Sequence, residues 1–376
     1  MSAVLAPGQL PLAPRPLPTE LISSCLLRVA AANSISLEEL LEGFKSRNPG
    51  CLAHGQLLDC SLPQATLTAL EFFCHLPFME LQRLDLAQQA PHLDVALLLR
   101  FRNVPPLCPR RQRLRYAFCP LCIAAQPLIH IPWDWCVACL VHCPIHGLLL
   151  REGCPACGEL DPLHFTPPDQ PLSRVCWSCG ADLTECHDAT DATPGHLSIQ
   201  AVEDAYRAAL LGIGPDPSLL GKATNQSFRS FVHDLLRILT LTLRPRSFEP
   251  NVRGSSTTLL ARKDLLQIIA ELVLNAAPTS DIQRRRSRCA RGRVLWTALL
   301  RVIPEHEAAE IERASQKWPL ALRRRFVSAL YHSKRRRWPC SPFEGHALSL
   351  RFKCSGLSEV FDLTTAKALP GRKSRI

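Results

Sequence analysis

The chain has 376 residues, of which 47% are hydrophobic; it carries a formal net charge of +11 and 18 cysteines. This length accommodates two or three domains with their own cores, and the apolar content excludes a largely disordered chain. The sequence shows neither a signal peptide nor the roughly 20 consecutive apolar residues of a membrane span, so we expect no membrane attachment. We therefore expect a reducing, cytoplasmic setting, in which paired cysteines hold zinc rather than form disulfides.

A proline-rich leader, residues 1–18, precedes two predicted helices. Thr19 is the predicted cap of the first helix. Ser36 and Glu39 have the spacing of a capping box for the second helix, which Asn48-Pro49-Gly50 ends. The pair predicts either a helix-turn-helix or an ordinary helical hairpin, because no set of basic residues marks a recognition helix.

Further helical pattern follows at residues 65–76 and 93–101. With the first two helices, these segments predict an N-terminal helical domain over residues 19–104. Arginines between Arg100 and Arg115 then form a basic patch that runs into the first cysteine pair.

Residues 105–190 contain few long periodic segments and many Cys, Pro, His and Trp residues. Such a segment builds little core unaided, and a structural metal then supplies folding free energy, on the order of 10 kcal/mol per site in small zinc modules. Five Cys-x-x-Cys or Cys-x-x-His units occur, although two tetrahedral ions need only four. The units begin at Cys119, Cys136, Cys143, Cys154 and Cys176.

Turn chemistry selects four of these units. A zinc knuckle favours Pro after its first ligand and Gly, which adopts positive φ, after its second. "CPLC", "CPIHG", "CPACG" and "CWSCG" have one or both residues, whereas "CVACL" has neither. The predicted ligands of one zinc are therefore Cys119, Cys122, Cys143 and His146, and those of a second are Cys154, Cys157, Cys176 and Cys179.

Two alternatives remain for these residues. Cys139 and His142 are substitute ligands if the first site is built differently. A redox or disulfide role for the same cysteines is the other alternative to two structural zinc ions.

Residues 199–340 are predicted to form a basic helical domain, followed by a tail segment, residues 341–376. Its helices are predicted from five segments that place apolar residues three and four apart. These segments begin at Ser198, Ser227, Thr257, Arg293 and Ala321. The whole chain is thus expected to be mainly α, with a helix-turn-helix-like N-terminal domain, a central tandem zinc-knuckle or zinc-ribbon module and a basic helical C-terminal domain.

The basic excess lies in the last quarter of the chain. Residues 281–376 hold 22 Lys and Arg against 8 Asp and Glu, a net of +14; because the whole chain carries +11, residues 1–280 have a net of −3. Clusters of this kind attract phosphate groups and favour a nucleic-acid partner over a merely solvated helix face. The predicted DNA-contacting residues are Arg284, Arg285, Arg286, Arg288, Arg291, Arg293, Arg323, Arg324, Arg325, Lys334, Arg335, Arg336 and Arg337.

The order of the motifs resembles the TniQ family of transposition target-selection proteins. The resemblance rests on "CPLC", the Trp-containing "IPWDW", "CPIHGLLL", "CPACG" and "CWSCGADL", together with the N-terminal "PLPTELISSCLLRVAAAN". These stretches span about the first half of the chain. The sequence departs from the family at Cys25, where the family often has an aromatic residue, and in the additional Cys136 and Cys139.

This resemblance implies a bacterial mobile-element protein without catalysis of its own. Such a protein binds target DNA or a DNA-bound complex and recruits the transposon's AAA+ ATPase, which in turn engages the transposase. A stand-alone zinc-containing transcription regulator that binds DNA is the alternative, and a homodimer is compatible with both.

An enzyme is disfavoured by the residues themselves. "HEAAE" at His306 lacks the second His of a zinc-protease helix, and no glycine precedes "GKAT" at Gly221 with the phosphate-loop spacing. We therefore expect ATP to be bound by a partner rather than by this chain.

Overall fold

The computed structural model describes residues 9–52, 56–60, 62–99, 113–163, 173–185, 196–213, 224–242, 259–276, 295–297, 299–300 and 305–336. Within these ranges the chain is mainly helical, and its only β-structure consists of isolated bridges. The predicted mainly α class is therefore confirmed. No helix in the described part combines the length and apolar character needed to cross a bilayer.

The α-helices of the first half are α1 (Ile22–Ala32), α2 (Leu37–Arg47), α3 (Gln64–Phe73), α4 (Glu80–Leu84), α5 (Leu86–Gln89) and α6 (Pro120–Ala125). Those of the second half are α7 (His196–Leu210), α8 (Asn225–Thr242), α9 (Leu259–Ala276), α10 (Glu305–Ala314) and α11 (Leu320–Arg336). Short 3-10 helices occupy Val95–Leu97, Trp133–Cys136 and Ser315–Lys317.

Thr19 is not the cap of α1, contrary to the prediction. The Thr19 backbone has a φ of 63°, and its carbonyl accepts a hydrogen bond from the Trp133 N–H at 2.8 Å. The Leu21 N–H donates to the carbonyl of Ile131 at 2.9 Å. Thr19 is therefore in a left-handed conformation and paired with the start of the second 3-10 helix, and α1 begins only at Ile22.

Asp59 provides the cap that α1 lacks locally. No side chain at the N-cap position bonds to the helix, but the Ser23 N–H donates to Asp59 Oδ1 at 2.7 Å. Asp59 is fully buried, and the sequence around it gave no sign of this role.

The second predicted helix is confirmed in detail. Ser36 and Glu39 form a reciprocal capping box, with a distance of 3.1 Å from the Glu39 N–H to Ser36 Oγ and 2.7 Å from the Ser36 N–H to Glu39 Oε2. The helix ends at Arg47, and Asn48 is its C-cap. With α1, α3 and α4 it encloses an N-terminal apolar cluster that includes Phe44.

The helical pattern at residues 93–101 is only partly realised. A 3-10 helix covers Val95–Leu97, and residues 100–101 lie outside the described part. The Leu99 N–H donates to the carbonyl of Cys136 at 2.7 Å, and the Ala138 N–H donates to the carbonyl of Leu97 at 2.8 Å. These backbone groups therefore bond to the cysteine-rich segment instead of continuing a helix.

The C-terminal section is helical where the periodicity predicts it. Helices α7, α8, α9 and α11 match four predicted segments, and residues 295–297 and 299–300 of the fifth are also helical. Helix α10 was not predicted. A large apolar cluster continues from the cysteine-rich segment into these helices, from Trp135 to Phe326.

Candidate metal centres

The first group of candidate ligands is assembled by a short helix and a tight turn. Cys119 precedes α6, whose first residue is Pro120, and Cys122 lies within this helix. The second half is a knuckle in which the Gly147 N–H donates to the carbonyl of Cys143 at 2.9 Å, with a φ of 67° at Gly147. The His146 N–H points at Cys143 Sγ, 3.4 Å away.

The ligand atoms of this group have tetrahedral spacing. Nδ1 of His146 lies 3.5, 3.3 and 3.6 Å from the sulfur atoms of Cys119, Cys122 and Cys143, and the last two sulfur atoms are 3.5 Å apart. A zinc ion with bonds of about 2.3 Å to sulfur and about 2.0 Å to nitrogen separates its ligands by roughly 3.5 to 3.8 Å. The group therefore fits a single zinc ion.

The second group consists of two knuckles with nearly identical turns. The Gly158 N–H donates to the carbonyl of Cys154 at 2.9 Å, and the Gly180 N–H donates to the carbonyl of Cys176 at 2.8 Å. Both glycines have a φ of 75°, which L-residues with a side chain rarely adopt. The glycines in the motif are thus required by the turn rather than by lack of space.

The four sulfur atoms of this second group also converge. The Sγ atoms of Cys154 and Cys179 are 3.6 Å apart, and those of Cys157 and Cys176 are 3.8 Å apart. Cys154 and Cys176 are buried, whereas Cys157 and Cys179 are exposed. The group accordingly fits a zinc ion close to the protein surface.

Neighbouring thiols compete for ionisation in the first group. Hydrogen bonds with Cys119 and Cys122 lower the pKa of Cys143, whereas hydrogen bonds with Cys119 and Cys143 raise the pKa of Cys122. One thiolate is thus favoured at the expense of the next, because adjacent negative charges repel. A divalent cation relieves this repulsion, and closed sets of sulfur and nitrogen ligands suit zinc.

The unit that turn chemistry rejected lies outside both groups. Cys136 and Cys139 are buried in the large apolar cluster, where desolvation raises the pKa of each thiol, that of Cys139 to about 12. His142, the other substitute ligand, places Nδ1 3.1 Å from Glu203 Oε2. The structure therefore brings together the eight residues predicted as ligands, and their binding of zinc stays a prediction.

Glu203 of α7 joins the first group to the C-terminal helices. Its Oε1 accepts a hydrogen bond from the Val141 N–H at 2.7 Å, and its Oε2 is hydrogen-bonded to His142 Nδ1. Both Glu203 and His142 are almost completely buried. The sequence does not reveal this contact, since the periodicity of α7 indicates only its apolar face.

Glu152 has a similar position between the two groups. Its Oε1 lies 3.2 Å from Arg115 Nη2 and 2.9 Å from Arg262 Nη2, and its Oε2 accepts from the Leu259 N–H, at the start of α9, at 2.8 Å. One carboxylate thus caps a helix and lies within ion-pair distance of two arginines. Nothing in the sequence around Glu152 marks this role.

The basic patch before the first cysteine pair is partly structural. Arg113 is buried and bonds to Asp161, and Arg115 pairs with Glu152. These two side chains are consequently engaged within the protein; residues 100–112 lie outside the described part.

Most predicted DNA-contacting residues also lie outside it. Residues 284–293 and Arg337 are not described, whereas Arg323, Arg324 and Arg325 lie in α11 and Lys334–Arg336 form its last turn. Their contacts with DNA stay predictions.

The fold and the two groups define a helical protein with two knuckle-type centres that can hold metal ions. The TniQ family model matches residues 11–150, from before α1 to beyond the first group of ligands. No curated protein and no solved structure matches the chain. The TniQ match confirms the resemblance to this family over residues 11–150; the family is one of DNA-binding proteins associated with transposition.

Proposed function

We propose that the protein is a non-catalytic transposition accessory factor. It binds target DNA, or a targeting complex already on DNA, and recruits the transposon's AAA+ ATPase and through it the transposase. The TniQ match over residues 11–150 carries this proposal. Its expected setting is the bacterial cytoplasm, where thiols remain reduced and available to zinc.

Zinc has a structural role in this proposal. The two ions are held by Cys119, Cys122, Cys143 and His146 and by Cys154, Cys157, Cys176 and Cys179. Closed sets of four protein ligands leave no open position for a reacting water, unlike catalytic zinc sites. The ions therefore hold the turns in place instead of acting as Lewis acids.

The C-terminal section supplies the attraction to DNA. The net charge of +14 over residues 281–376 suits the phosphate backbone. We retain the division into an N-terminal domain (residues 19–104), a zinc module (105–190) and a basic domain (199–340) as part of the proposal.

Capture of the ATPase tests this function directly. The purified protein is immobilised and exposed to the AAA+ ATPase encoded beside its gene, with and without duplex DNA and ATP. We expect specific capture that DNA enhances, and an ATPase from an unrelated element serves as the control. Tight binding to a defined operator without ATPase capture would contradict recruitment and support a stand-alone regulator.

A further inference from the structure

Helix α11 exposes a face that combines basic, apolar and hydroxyl side chains. Leu320, Val327 and Tyr331 are 58%, 39% and 57% exposed, and Arg324 and Ser328 are also exposed. Their spacing of three and four residues places them on one side of the helix. Helix α11 ends with the sequence Lys334-Arg335-Arg336.

Aromatic packing on the opposite side of α11 fixes the orientation of this face. The ring centroid of Phe326 lies 5.2 Å from that of Trp296 and 5.3 Å from that of Trp318. The ring centroids of Trp318 and Phe231, in α8, are 5.1 Å apart, and the indole N–H of Trp318 donates to Asp234 Oδ2 at 2.8 Å. Because Phe326 is completely buried in this aromatic cluster, α11 cannot rotate to hide the opposite face.

The N-terminal hairpin offers a much less suitable surface to DNA. Helix α2 exposes Glu38, Glu39 and Glu42, of which Glu42 is 74% exposed and pairs with Lys45. Carboxylates on the outer face of a helix repel phosphate groups. Although Arg47 is also exposed on α2, these three carboxylates make α2 less suited to phosphate than α11.

Helix α11 follows α10 after a short connection, Ser315–Lys317 and the next two residues. In several classes of DNA-binding protein a single helix lies in the major groove. Helix α11 has 17 residues and is about 25 Å long. That length crosses a major groove about 12 Å wide, with both ends near phosphates.

We propose that α11 is the helix that enters the major groove of DNA. This inference rests on the proposed function and specifies the element that performs its DNA binding. Arg324 is suited to the acceptors on guanine, Val327 to the methyl group of thymine and Ser328 to either donors or acceptors. Arg323, on the border of this face, is suited to phosphate.

Matched substitutions on α11 and on the N-terminal helices test the inference. The full-length, zinc-loaded protein is titrated against a fluorescent 40-base-pair duplex at several salt concentrations. Ser328→Glu is compared with Ser46→Glu on α2, because both residues are exposed on a helix. Arg324→Ala is likewise compared with Arg83→Ala, since Arg83 is 75% exposed on α4.

We expect the α11 variants to weaken DNA binding by about fivefold or more. Arg324→Ala should also reduce the number of counterions released on binding by at most about one, and by less if Arg324 contacts bases rather than phosphate. The two control variants should remain within about twofold of the unaltered protein. A duplex saturated with the major-groove ligand methyl green should bind weakly, whereas the minor-groove ligand distamycin should have little effect. Unchanged melting temperature and zinc content confirm that each variant is folded.

The outcomes separate this inference from the proposed function. If the unaltered protein binds the duplex and the α11 variants bind equally well, α11 is not the DNA-contacting helix and recruitment is unaffected. If the unaltered protein fails to bind while ATPase capture persists, direct DNA binding and the role of α11 are both overturned. Loss of ATPase capture with unchanged DNA affinity would instead make this face a protein-binding surface.

Discussion

At the scale of single residues, buried carboxylates bind several neighbouring groups at once. Glu20 is completely buried and forms an ion pair of 2.6 Å with Arg28, which is 8% exposed. The same carboxylate accepts a hydrogen bond from Ser24 Oγ at 2.9 Å. Such groups are costly to bury unless every oxygen is paired, so their replacement should have large effects.

The first prediction concerns Asp59. Burial raises its pKa to about 6, although the hydrogen bond from Ser23 offsets part of this effect. Since the folded pKa exceeds the unfolded value of about 3.9, the folded state binds the proton more tightly, and stability falls as pH rises from about 4 to 6. Asp59→Asn retains an acceptor for Ser23 and removes this titration. We expect its free energy of unfolding at pH 7.5 to rise by on the order of 2 kcal/mol.

Urea unfolding at several pH values measures this effect. Asp59→Ala serves as the control, because it also removes the titration but leaves α1 without a cap, at a cost of about 1 kcal/mol relative to the Asn variant. An Asn variant whose stability keeps the original slope between pH 4 and 6 would show that another group titrates there.

The second prediction concerns Glu152. Glu152→Gln should lower the free energy of unfolding by about 3 kcal/mol, because Arg115 and Arg262 lose their shared counter-charge in a buried place. Glu42→Gln is the matched control; this residue is 74% exposed, so less than about 1 kcal/mol is expected. Equal effects of the two substitutions in urea unfolding would mean that the Glu152 contacts contribute little.

At the scale of elements, the knuckle turns carry the clearest relation between sequence and conformation. Gly158 has a φ of 75°, and a Cβ built there would meet nothing within 4 Å. Only the backbone conformation therefore restricts this position. Gly43, in the middle of α2, offers the opposite case, since its added Cβ would make ordinary contact with Phe73 at 3.6 Å.

A third prediction follows from this contrast. Gly158→Ala should lower stability by about 1 to 2 kcal/mol, because it forces a left-handed conformation on a residue with a side chain. Gly43→Ala should raise stability by up to about 1 kcal/mol through helix propensity. Thermal melting of the zinc-loaded protein measures both changes. Gly158→Asn should recover part of the loss, and a loss of equal size in the Asn variant would argue against the conformational explanation.

The elements that the sequence predicted are those with local causes. The capping box of Ser36 and Glu39 and the turns of the knuckles depend on residues a few positions apart, so their spacing reveals them. The assignment of Thr19 was wrong and the helix at 93–101 is only partly realised, because backbone groups there bond to residues near 131–138, more than 30 positions away. Helix α10 was missed because "EHEAAEIERA" has few apolar residues.

The candidate metal centres were more predictable than the contacts that support them. The spacing of the Cys-x-x-Cys and Cys-x-x-His units reveals the candidate ligands, and Cys136, which turn chemistry set aside, lies outside both groups. Asp59, Glu152 and Glu203 have no such pattern, because each acts on a partner that the chain brings close only in the folded state.

At the scale of the whole molecule, the cysteine-rich segment lies at the centre of the described structure. It pairs with the start of α1 through Ile131 and Trp133, and it contacts α7 and α9 through Glu203 and Glu152. The proposed zinc ions therefore hold the segment against which both helical parts pack. Their loss should affect far more than the local turns.

The fourth prediction uses two cysteines from this segment. The purified protein should contain about two zinc ions per chain, and Cys157→Ser should reduce this number to about one and lower the melting temperature. Cys136→Ser should retain both ions, because Cys136 lies in the apolar cluster outside both groups. Metal analysis after purification under reducing conditions distinguishes these outcomes. A full complement of zinc in Cys157→Ser would remove this residue from the ligand set.

The two candidate ligand sets follow one another along the chain and do not interleave. The first is complete at His146, and the second begins only at Cys154. During synthesis, the first centre can consequently close before any cysteine of the second has left the ribosome, so newly made chains avoid an exchange of ligands between centres. Helices α7 and α9 are synthesised after both ligand sets, so Glu152, which bonds to the start of α9, precedes its partner in the chain.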